Sequence, residues 1–530
     1  MTPSPAEPAV TPPRSALPAC RSIAELPFLQ ARRVPEKPAL VSEAGALSHR
    51  ELWDRVARFA GFVEARAGRG ARVAIHLPNL PEHAIAYFGA IAAGAVAVPV
   101  NYRLSPPEVG YVLSDCAAAV LVTTAAQHEK LAALPEARSV RAFVVVDGAP
   151  PGALPFAAAL AEGRPVAAPA AVEPGGVACL LYTSGTTGFP KGAMISHANC
   201  LFNAASCERT LGYREDDVGL LTLPLFHVTA LHSQLVALVG LGATAVVQRE
   251  YETRRMLELA AAHRVTALFL VPAVYKLVTL RDDLAAYDLS RVRVAAYGGA
   301  PMDPETIGAL RRILPGVELH NCYGLTESSS LATVLPAEEL LSRTESVGRA
   351  VPGTEAQVRG PAGDVLPPGT PGELYLRGPN IVQGYWGAPE KTRAALGDGW
   401  LRTGDVARID AEGFVFILDR VKDMINRGGE KIFGLEVENV LYAFPGVQEA
   451  AVVGVPHPIF GEVPVAFLAP FPGAAPDPGA LRAHCAARLA DFKVPVEYRL
   501  VEKLPRNPGG KVLKQELRRA YGARPEERKP

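Results

Sequence analysis

The chain has 530 residues, 49% of them hydrophobic, and its 54 Lys and Arg residues balance 54 Asp and Glu residues. This length exceeds what one ordinary hydrophobic core holds, so at least two domains are expected. The charge balance supplies no long-range attraction for nucleic acid or for an anionic membrane, and we expect neither as a partner.

Seven cysteines are scattered along the chain without a Cys-x-x-Cys pair or a neighbouring set of histidines at zinc spacing. This distribution favours reduced thiols in a cytoplasmic protein over a disulfide scaffold or a metal cluster. Residues 1–20 are rich in Pro, Ala and Ser and lack the apolar core of a signal peptide. We predict that they form a disordered tail.

Helical periodicity at Arg50–Ala67 begins an alternation of helices with short Val-rich strands that continues to Val294–Tyr297. Such alternation predicts an α/β fold with mostly parallel strands. The large N-terminal domain is expected to cover residues 21–419.

The uncharged stretch Ala84–Val100 imitates a membrane span, but it is rich in alanine. It also falls short of the roughly 20 strongly apolar residues that a spanning helix needs. A buried helix to about Ala93, a turn at Gly94 and a short strand Ala95–Val98 are predicted instead.

From about Thr354 the pattern changes to short strands such as Glu373–Leu376 and Val415–Leu418, separated by Gly-Pro turns. This pattern predicts a small antiparallel β unit at the end of the large domain. Residues 420–530 are expected to form a small, mobile α/β domain.

The strongest local motif is Tyr182-Thr-Ser-Gly-Thr-Thr-Gly-Phe-Pro-Lys-Gly-Ala193, which follows the apolar run Val177–Leu181. Its hydroxyls, glycine amides and single lysine, Lys191, are suited to cradling phosphate. It is not a Walker A loop, because Lys191 is followed by Gly192 rather than by Ser or Thr. A flexible surface loop is the alternative, and the length of the motif argues against it.

With this loop the chain resembles the adenylate-forming superfamily, which contains acyl-CoA synthetases, peptide-synthetase adenylation domains and beetle luciferases. Segments similar to the other motifs of the family follow in order: Leu223–His227, Tyr297–Pro301, Tyr323–Glu327, Gly372–Leu374, Thr403–Asp405, Asp419–Asp423, Arg427–Gly429 and Pro505–Lys511. The resemblance implies an acyl-CoA synthetase that uses ATP to form an acyl-adenylate, releases diphosphate and passes the acyl group to a thiol.

The resemblance also implies where ATP and Mg²⁺ bind. Thr183 and Glu327 would hold Mg²⁺, which neutralises charge where an anionic acid meets a triphosphate. Tyr323 would offer its ring to adenine, and Asp405 its two oxygens to the ribose hydroxyls. The implied nucleotide-binding residues are Thr183, Ser184, Gly185, Thr186, Thr187, Gly188, Lys191, Gly299, Ala300, Pro301, Asn321, Cys322, Tyr323, Gly324, Thr326, Asp405 and Arg420.

Two residues are implied to act at the reacting atoms. Lys511, in a Gly-Gly-Lys loop, would enter the site and stabilise developing negative charge during adenylation. His227 would border the carboxylate and move to open the thiol tunnel, although a histidine beside Phe226 is also typical of a protein core.

By analogy with the family, the acid would face His227, Val228, Thr229, Leu231, Gly298, Gly299, Cys322 and Ser328. These positions carry no formal charge, so a medium-to-long fatty acid or an aryl acid is expected. An α-amino acid is not, because no acid follows Phe226 and an unpaired ammonium in an apolar pocket costs several kcal/mol.

For the second half-reaction the resemblance implies a hinge at Lys422 and a tunnel for coenzyme A at Arg427, Gly428, Gly429 and Lys431. Coenzyme A is the expected thiol, and an acyl carrier protein is the alternative. A luciferase-type monooxygenase and a non-catalytic nucleotide-binding homologue remain as rival functions. The chain is expected to be a monomer or a homodimer.

Overall fold

The computed structural model describes residues 16–183, 190–506 and 512–522. Most of the expected tail, Ser184–Gly188 of the phosphate loop and Lys511 lie outside these ranges. Within them, no helix is both long enough and apolar enough to cross a bilayer.

Two sheets, which hold the strands of residues 38–350, form the large domain. In chain order these strands are β1 (Pro38–Ser42), β2 (Gly45–Ser48), β3 (Arg72–Ile75), β4 (Val96–Pro99), β5 (Ala118–Thr123), β6 (Ala142–Val145), β7 (Leu154–Pro155), β8 (Val177–Thr183), β9 (Lys191–Ser196), β10 (Val218–Leu221), β11 (Thr244–Val247), β12 (Ala267–Leu270), β13 (Val294–Gly298), β14 (Glu318–Leu325), β15 (Ser330–Leu335) and β16 (Arg349–Ala350). One sheet has the order β7-β6-β5-β3-β4-β8-β9 and the other β16-β15-β14-β13-β12-β10-β11-β1-β2. Most neighbouring strands in both sheets are parallel, which confirms the predicted α/β fold.

Helices connect and cover these strands. They are α1 (Glu25–Arg33), α2 (His49–Arg66), α3 (Pro81–Ala92), α4 (Pro106–Asp115), α5 (Ala125–Leu131), α6 (Phe156–Glu162), α7 (His197–Leu211), α8 (Ala237–Leu241), α9 (Thr253–Ala262), α10 (Pro272–Thr279), α11 (Pro304–Ile313) and α12 (Pro389–Ala395) in the large domain, and α13 (Gly434–Tyr442), α14 (Pro478–Ala486) and α15 (Lys514–Gly522) in the small one. A π-helix, Thr229–Val236, leads into α8.

The largest core lies between the two sheets. It joins Ile75 of β3 and Ala296 of β13, one from each sheet, with Phe59 of α2 and Phe88 of α3. Residues 83–92 of α3 are all buried, so the apolar stretch is a core helix and not a membrane span. Gly94, at φ +71°, ends the helical segment before β4, as the sequence predicted.

A five-stranded antiparallel sheet follows the large α/β part. Its strands are β17 (Glu355–Arg359), β18 (Gly372–Arg377), β19 (Leu396–Gly397), β20 (Trp400–Ile409) and β21 (Val415–Arg420). They run in the order β17-β18-β20-β19, and β21 also pairs with β20. This confirms the predicted antiparallel β unit.

The small domain has a sheet and cores of its own. Its strands are β22 (Ile425–Arg427), β23 (Glu430–Ile432), β24 (Val447–His457), β25 (Gly461–Pro470) and β26 (Glu497–Leu500). Their order is β23-β22-β25-β24, with β26 parallel to β25. Leu441 of α13 and Leu481 of α14 pack against one face of this sheet.

The expectation of a tail reaching residue 20 is wrong for its last residues. Leu17 and Cys20 pack against the large core. The physical reason is space: a Cβ on Gly240 would lie 2.8 Å from a methyl carbon of Leu17, so the leucine fills the gap that this glycine leaves.

Candidate active site

The phosphate loop begins and ends at one point of its sheet. Thr183, at the end of β8, pairs in antiparallel register with Lys191, at the start of β9. Both residues are half-buried. The pairing places the two residues opposite each other at the base of the loop, whose residues Ser184–Gly188 lie outside the described ranges.

Glu327 reaches the same place from the other sheet. It lies in a short 3₁₀ turn, Thr326–Ser328, directly after β14. Tyr385 Oη donates to Glu327 Oε1 at 2.8 Å, and Lys191 Nζ lies 5.1 Å from the centroid of the Tyr385 ring. Sequence reasoning missed Tyr385, because nothing in its local pattern marks it; only the pairing of its segment beside β9 reveals it.

Thr183 and Glu327 fit a magnesium ion, since both offer the hard oxygen ligands that Mg²⁺ prefers. Glu327 Oε1 accepts from the Tyr385 phenol, which leaves the other carboxylate oxygen as a possible ligand. Proteins often bind Mg²⁺ through one or two carboxylates together with substrate phosphates. In the described part of the chain no group of three or more His, Cys, Asp or Glu residues could hold a metal ion.

Tyr323, Asp405 and Arg420, which are predicted to bind adenine, ribose and ribose or phosphate oxygens, contact one another. Tyr323 Oη donates to Asp405 Oδ2 at 2.6 Å, and Arg420 Nε lies 2.6 Å from Asp405 Oδ1. The register of β20 with β21 puts Asp405 opposite Arg420. Because a carboxylate has about four lone-pair positions, Asp405 can still accept from ribose hydroxyls.

Burial, together with the Asp405 carboxylate, raises the pKa of Tyr323 well above its usual value. The phenol therefore stays protonated and donates to Asp405 at any working pH. This bond holds the tyrosine ring, the predicted adenine platform, in a fixed relation to the predicted ribose ligand.

The other predicted nucleotide residues fall into two groups. Gly299, Ala300 and Pro301 are exposed beyond β13, open to a ligand. Gly324 approaches the neighbouring strand so closely that a Cβ would lie 1.5 Å from the Ser330 carbonyl oxygen. Thr326 is half-buried in the 3₁₀ turn that carries Glu327.

Asn321, another residue of the predicted set, is buried, and its Nδ2 donates to the Ser346 carbonyl at 2.8 Å. This hydrogen bond ties β14 to the segment that precedes β16.

The predicted acid-facing residues are only partly accessible. His227, Val228, Thr229 and Gly298 are half-buried, and Gly299 is exposed. Leu231 and Ser328 are fully buried. Leu231 turns into the core on the π-helix, and Ser328 Oγ bonds within its own turn, to the Leu325 and Ser330 carbonyls. Cys322 is also buried.

His227 lies at the border between the core and the pocket. Its ring centroid is 4.3 Å from that of Phe226. Burial, and then the nearby Arg103 guanidinium, lowers the pKa of His227 to about 4. The imidazole is therefore a neutral, flat group near pH 7 and supplies no positive charge to a carboxylate.

The small domain joins the large one through the segment at Lys422, which is exposed. Just before it, Val421 N donates to the Gly404 carbonyl at 3.0 Å. The predicted tunnel residues lie on the β22–β23 hairpin, with Gly428 at φ +60° and Gly429 at φ +98° in its tight turn. Such positive φ values favour glycine.

Arg427 of this hairpin contacts an aromatic ring and a backbone carbonyl. The Arg427 guanidinium lies 4.9 Å from the centroid of the Phe460 ring, and its Nη1 donates to the Phe492 carbonyl at 2.9 Å. Both partners belong to the small domain. Lys431 is exposed at the start of β23.

Sequence reasoning also missed a buried charge cluster across the hinge. Gly434 N donates to Asp419 Oδ2 at 2.5 Å, and Lys514 Nζ lies 2.7 Å from Glu438 Oε1. Burial raises the pKa of Asp419 to about 6. Burial alone would lower the pKa of Lys514, but Glu438 and Asp419 outweigh it and raise that pKa. Asp419 of the large domain thus contacts the small domain three residues before Lys422.

The sequence matches two family descriptions: AMP-binding enzyme over residues 28–386, and AMP-binding enzyme C-terminal domain over residues 436–511. It is 37% identical over 497 residues to feruloyl-CoA synthase of Amycolatopsis sp, covering 94% of this chain and 98% of that protein. It is 37% identical over 464 residues to the long-chain-fatty-acid–CoA ligase FadD13 of Mycobacterium tuberculosis, covering 86% of this chain and 89% of that protein.

The fold is similar to that of o-succinylbenzoate coenzyme A synthetase (MenE) from Bacillus subtilis, solved in complex with ATP and magnesium ion. The TM-score is 0.83 at 30% sequence identity, and the alignment covers 93% of this chain and 98% of that chain.

The neutrality of His227 gives a first prediction. Because its pKa is lowered to about 4, the ring becomes charged only in acid and stays neutral through the working range. We expect His227→Phe to keep the rate of adenylation within about tenfold, since a flat neutral ring remains. Diphosphate release measured from about pH 5.5 to 8 checks this, with circular dichroism as the folding control. A much larger loss, or an inflection near pH 6.5 that the substitution removes, contradicts the neutral role.

Proposed function

We propose that this chain, which belongs to the AMP-binding enzyme family, activates a compact aromatic carboxylic acid and transfers it to coenzyme A. The chain is an AMP-forming acid–thiol ligase: it uses ATP, Mg²⁺ and coenzyme A, and it works through an acyl-adenylate. The nature of the acid and the roles of single residues are the proposed part.

The proposal of a short aromatic substrate rests on how shallow the acid pocket is. A tunnel wide enough for an acyl chain would expose the side chains that line it. Behind the half-buried rim, however, Leu231 and Cys207 are 0% exposed, Tyr213 3% and Cys322 4%. All four belong to one packed core. A flat, short acid fits such a site, whereas a long alkyl chain finds no room.

Hydrogen bonds fasten the wall behind this pocket. Ser233 Oγ donates to Ser330 Oγ at 2.7 Å, and Asn203 Oδ1 accepts from Leu331 N at 3.1 Å. Opening a tunnel there would leave buried polar groups unpaired, at about 1–3 kcal/mol for each group. The wall therefore resists the adjustment that a long chain would require.

The proposed roles in adenylation follow from charge. Mg²⁺, when bound, neutralises phosphate charge and aligns the triphosphate. Lys191 contributes a point positive charge at the base of the phosphate loop, and Asp405 with Arg420 orients the ribose. Lys511 is proposed to enter from the small domain and stabilise the charge that develops as the carboxylate attacks the α-phosphorus.

The proposed domain boundary lies at residues 419–420, where β21 ends and the hinge begins. The paired glycines at the Gly428–Gly429 turn are proposed to let the narrow pantetheine chain of coenzyme A approach the backbone. A cytoplasmic location is proposed because all seven cysteines are free thiols.

The substrate proposal predicts the outcome of an acid panel. With ATP, Mg²⁺ and coenzyme A, benzoates and cinnamates should exceed saturated acids of twelve or more carbons by at least about tenfold in kcat/KM. That ratio corresponds to about 1.4 kcal/mol of transition-state binding. AMP release is the measurement. A preference for long-chain acids contradicts the shallow pocket, and a preference for a dicarboxylate contradicts its uncharged lining.

A matched pair of variants tests depth itself. Cys322→Ala should shift the preference toward longer acids, because it removes bulk at the end of the pocket. Cys485→Ala is the control, since it removes an equally buried thiol from the core of the small domain.

The proposed role of Lys511 separates the two half-reactions. Lys511→Ala should lower the adenylation rate by about 10²- to 10³-fold, or roughly 3–4 kcal/mol, through loss of one charge contact to the transition state. Thioester formation from synthetic acyl-adenylate and coenzyme A should stay near the parent rate. Equal losses in both half-reactions would show that the lysine acts elsewhere.

The proposed hinge at Lys422 predicts the opposite result, in which adenylation is kept and transfer to the thiol is lost. Proline at 422 locks φ near −65° and restricts Val421 as well, so Lys422→Pro should still form the adenylate but transfer it very slowly. Single-turnover measurement of each half-reaction tests this, with Lys422→Ala as the mild control and circular dichroism to confirm folding. Normal transfer by the folded proline variant would remove Lys422 as the hinge.

A further inference from the structure

Tyr385 stands between two opposite charges of the proposed site. Its Oη donates to Glu327 Oε1 at 2.8 Å, while Lys191 Nζ lies 5.1 Å from its ring centroid. We propose that Tyr385 is a positioning residue that aims Glu327 at the magnesium ion and keeps it out of an ion pair with Lys191. The inference rests on the function proposed above, in which Glu327 serves the metal and Lys191 the diphosphate.

The hydroxyl orients the carboxylate through one of its two oxygens. A phenol is protonated near neutral pH, so Tyr385 Oη is a hydrogen-bond donor to Glu327 Oε1. This donor fixes one carboxylate oxygen, and the lone pairs of the other oxygen stay available to a cation.

The ring of Tyr385 contacts Lys191 without forming an ion pair with it. An ammonium is attracted to the face of an aromatic ring by the ring quadrupole, which carries no net charge. Lys191 is thus held near the phosphate loop with its charge intact and with N–H donors left for phosphate oxygens.

The backbone holds Tyr385 in place independently of these side-chain contacts. Met194 N donates to the Gly384 carbonyl at 2.9 Å, and Trp386 N donates to the Gly192 carbonyl at 2.8 Å, which ties the segment to β9. Tyr385 N donates to Thr392 Oγ1 at 2.9 Å. Removing only the hydroxyl should therefore leave the segment folded.

The segment around Tyr385 also holds the 3₁₀ turn that carries Glu327. Val382 N donates to the Glu327 carbonyl at 3.0 Å. The segment from Val382 to Tyr385 thus fixes the backbone of Glu327 and orients its carboxylate. It also places the Tyr385 ring beside Lys191. Without the tyrosine ring, Lys191 and Glu327 could form an ion pair with each other instead of binding their ligands.

The test uses binding rather than turnover. Isothermal titration calorimetry of ATP, with and without Mg²⁺ and without acid or thiol, measures how much Mg²⁺ strengthens ATP binding. Glu327→Gln, which lacks the carboxylate, shows how much ATP binding changes when the Mg²⁺ effect is lost completely. We expect Tyr385→Phe to reduce the Mg²⁺ effect by about tenfold or more, since a hydrogen bond to a charged group is lost. Its Mg²⁺-free affinity for ATP and its thermal midpoint should match the parent.

Two further variants sharpen the result. Tyr251→Phe removes a hydroxyl that bonds Thr253 Oγ1 at 2.7 Å, outside the proposed site, and should change nothing. Tyr385→Leu removes the ring as well, so Lys191 can engage Glu327, and Mg²⁺-free ATP affinity should fall too.

The inference is overturned if Tyr385→Phe keeps the full Mg²⁺ effect, or if it weakens ATP binding equally with and without Mg²⁺. If the parent and Glu327→Gln respond identically to Mg²⁺, the proposed role of Glu327 itself fails. That outcome is distinct from one in which only the Tyr385 variant behaves like the parent.

Discussion

Opposite charges must stand close together in this site without cancelling one another. The reaction joins a carboxylate to a triphosphate, so the protein needs positive groups for the phosphates and negative groups for the metal within one pocket. Asp405 and Arg420 are in direct contact, and we propose that together they orient the ribose. Tyr385 donates its hydroxyl to Glu327 and presents its ring to Lys191, and the proposed role of this arrangement is to keep the two groups available for their ligands.

Strand pairing delivers these groups from distant parts of the chain. Thr183 meets Lys191 through the β8–β9 register, and Asp405 meets Arg420 through the β20–β21 register. Such pairings are set by hydrogen bonds along whole strands, so a single surface change does not shift them. The small domain is joined differently, through the exposed segment at Lys422 and polar contacts at Asp419, and we propose that it rotates about this segment.

Much of this could be predicted, because the information is local. The burial of α3 followed from an apolar run too short for a membrane, and the motif residues were found through their resemblance to the adenylate-forming superfamily. The burial of Leu231 and Ser328 could not be predicted, because the direction of a side chain depends on tertiary packing, here a π-helix and a self-bonded turn. Tyr385 was missed for the same reason: its significance comes from a backbone pairing with β9 that no local pattern encodes.

In the acyl-adenylate route the carboxylate itself attacks the α-phosphorus, and a thiol then displaces AMP. Isotope transfer follows the oxygen atom: the acid is labelled with ¹⁸O in both carboxylate oxygens and incubated with ATP, Mg²⁺, coenzyme A and the purified protein. Mass spectrometry of the products should find one ¹⁸O atom in each AMP and none in the diphosphate. Unlabelled AMP, or label in a phosphate released alongside ADP, would contradict the acyl-adenylate route.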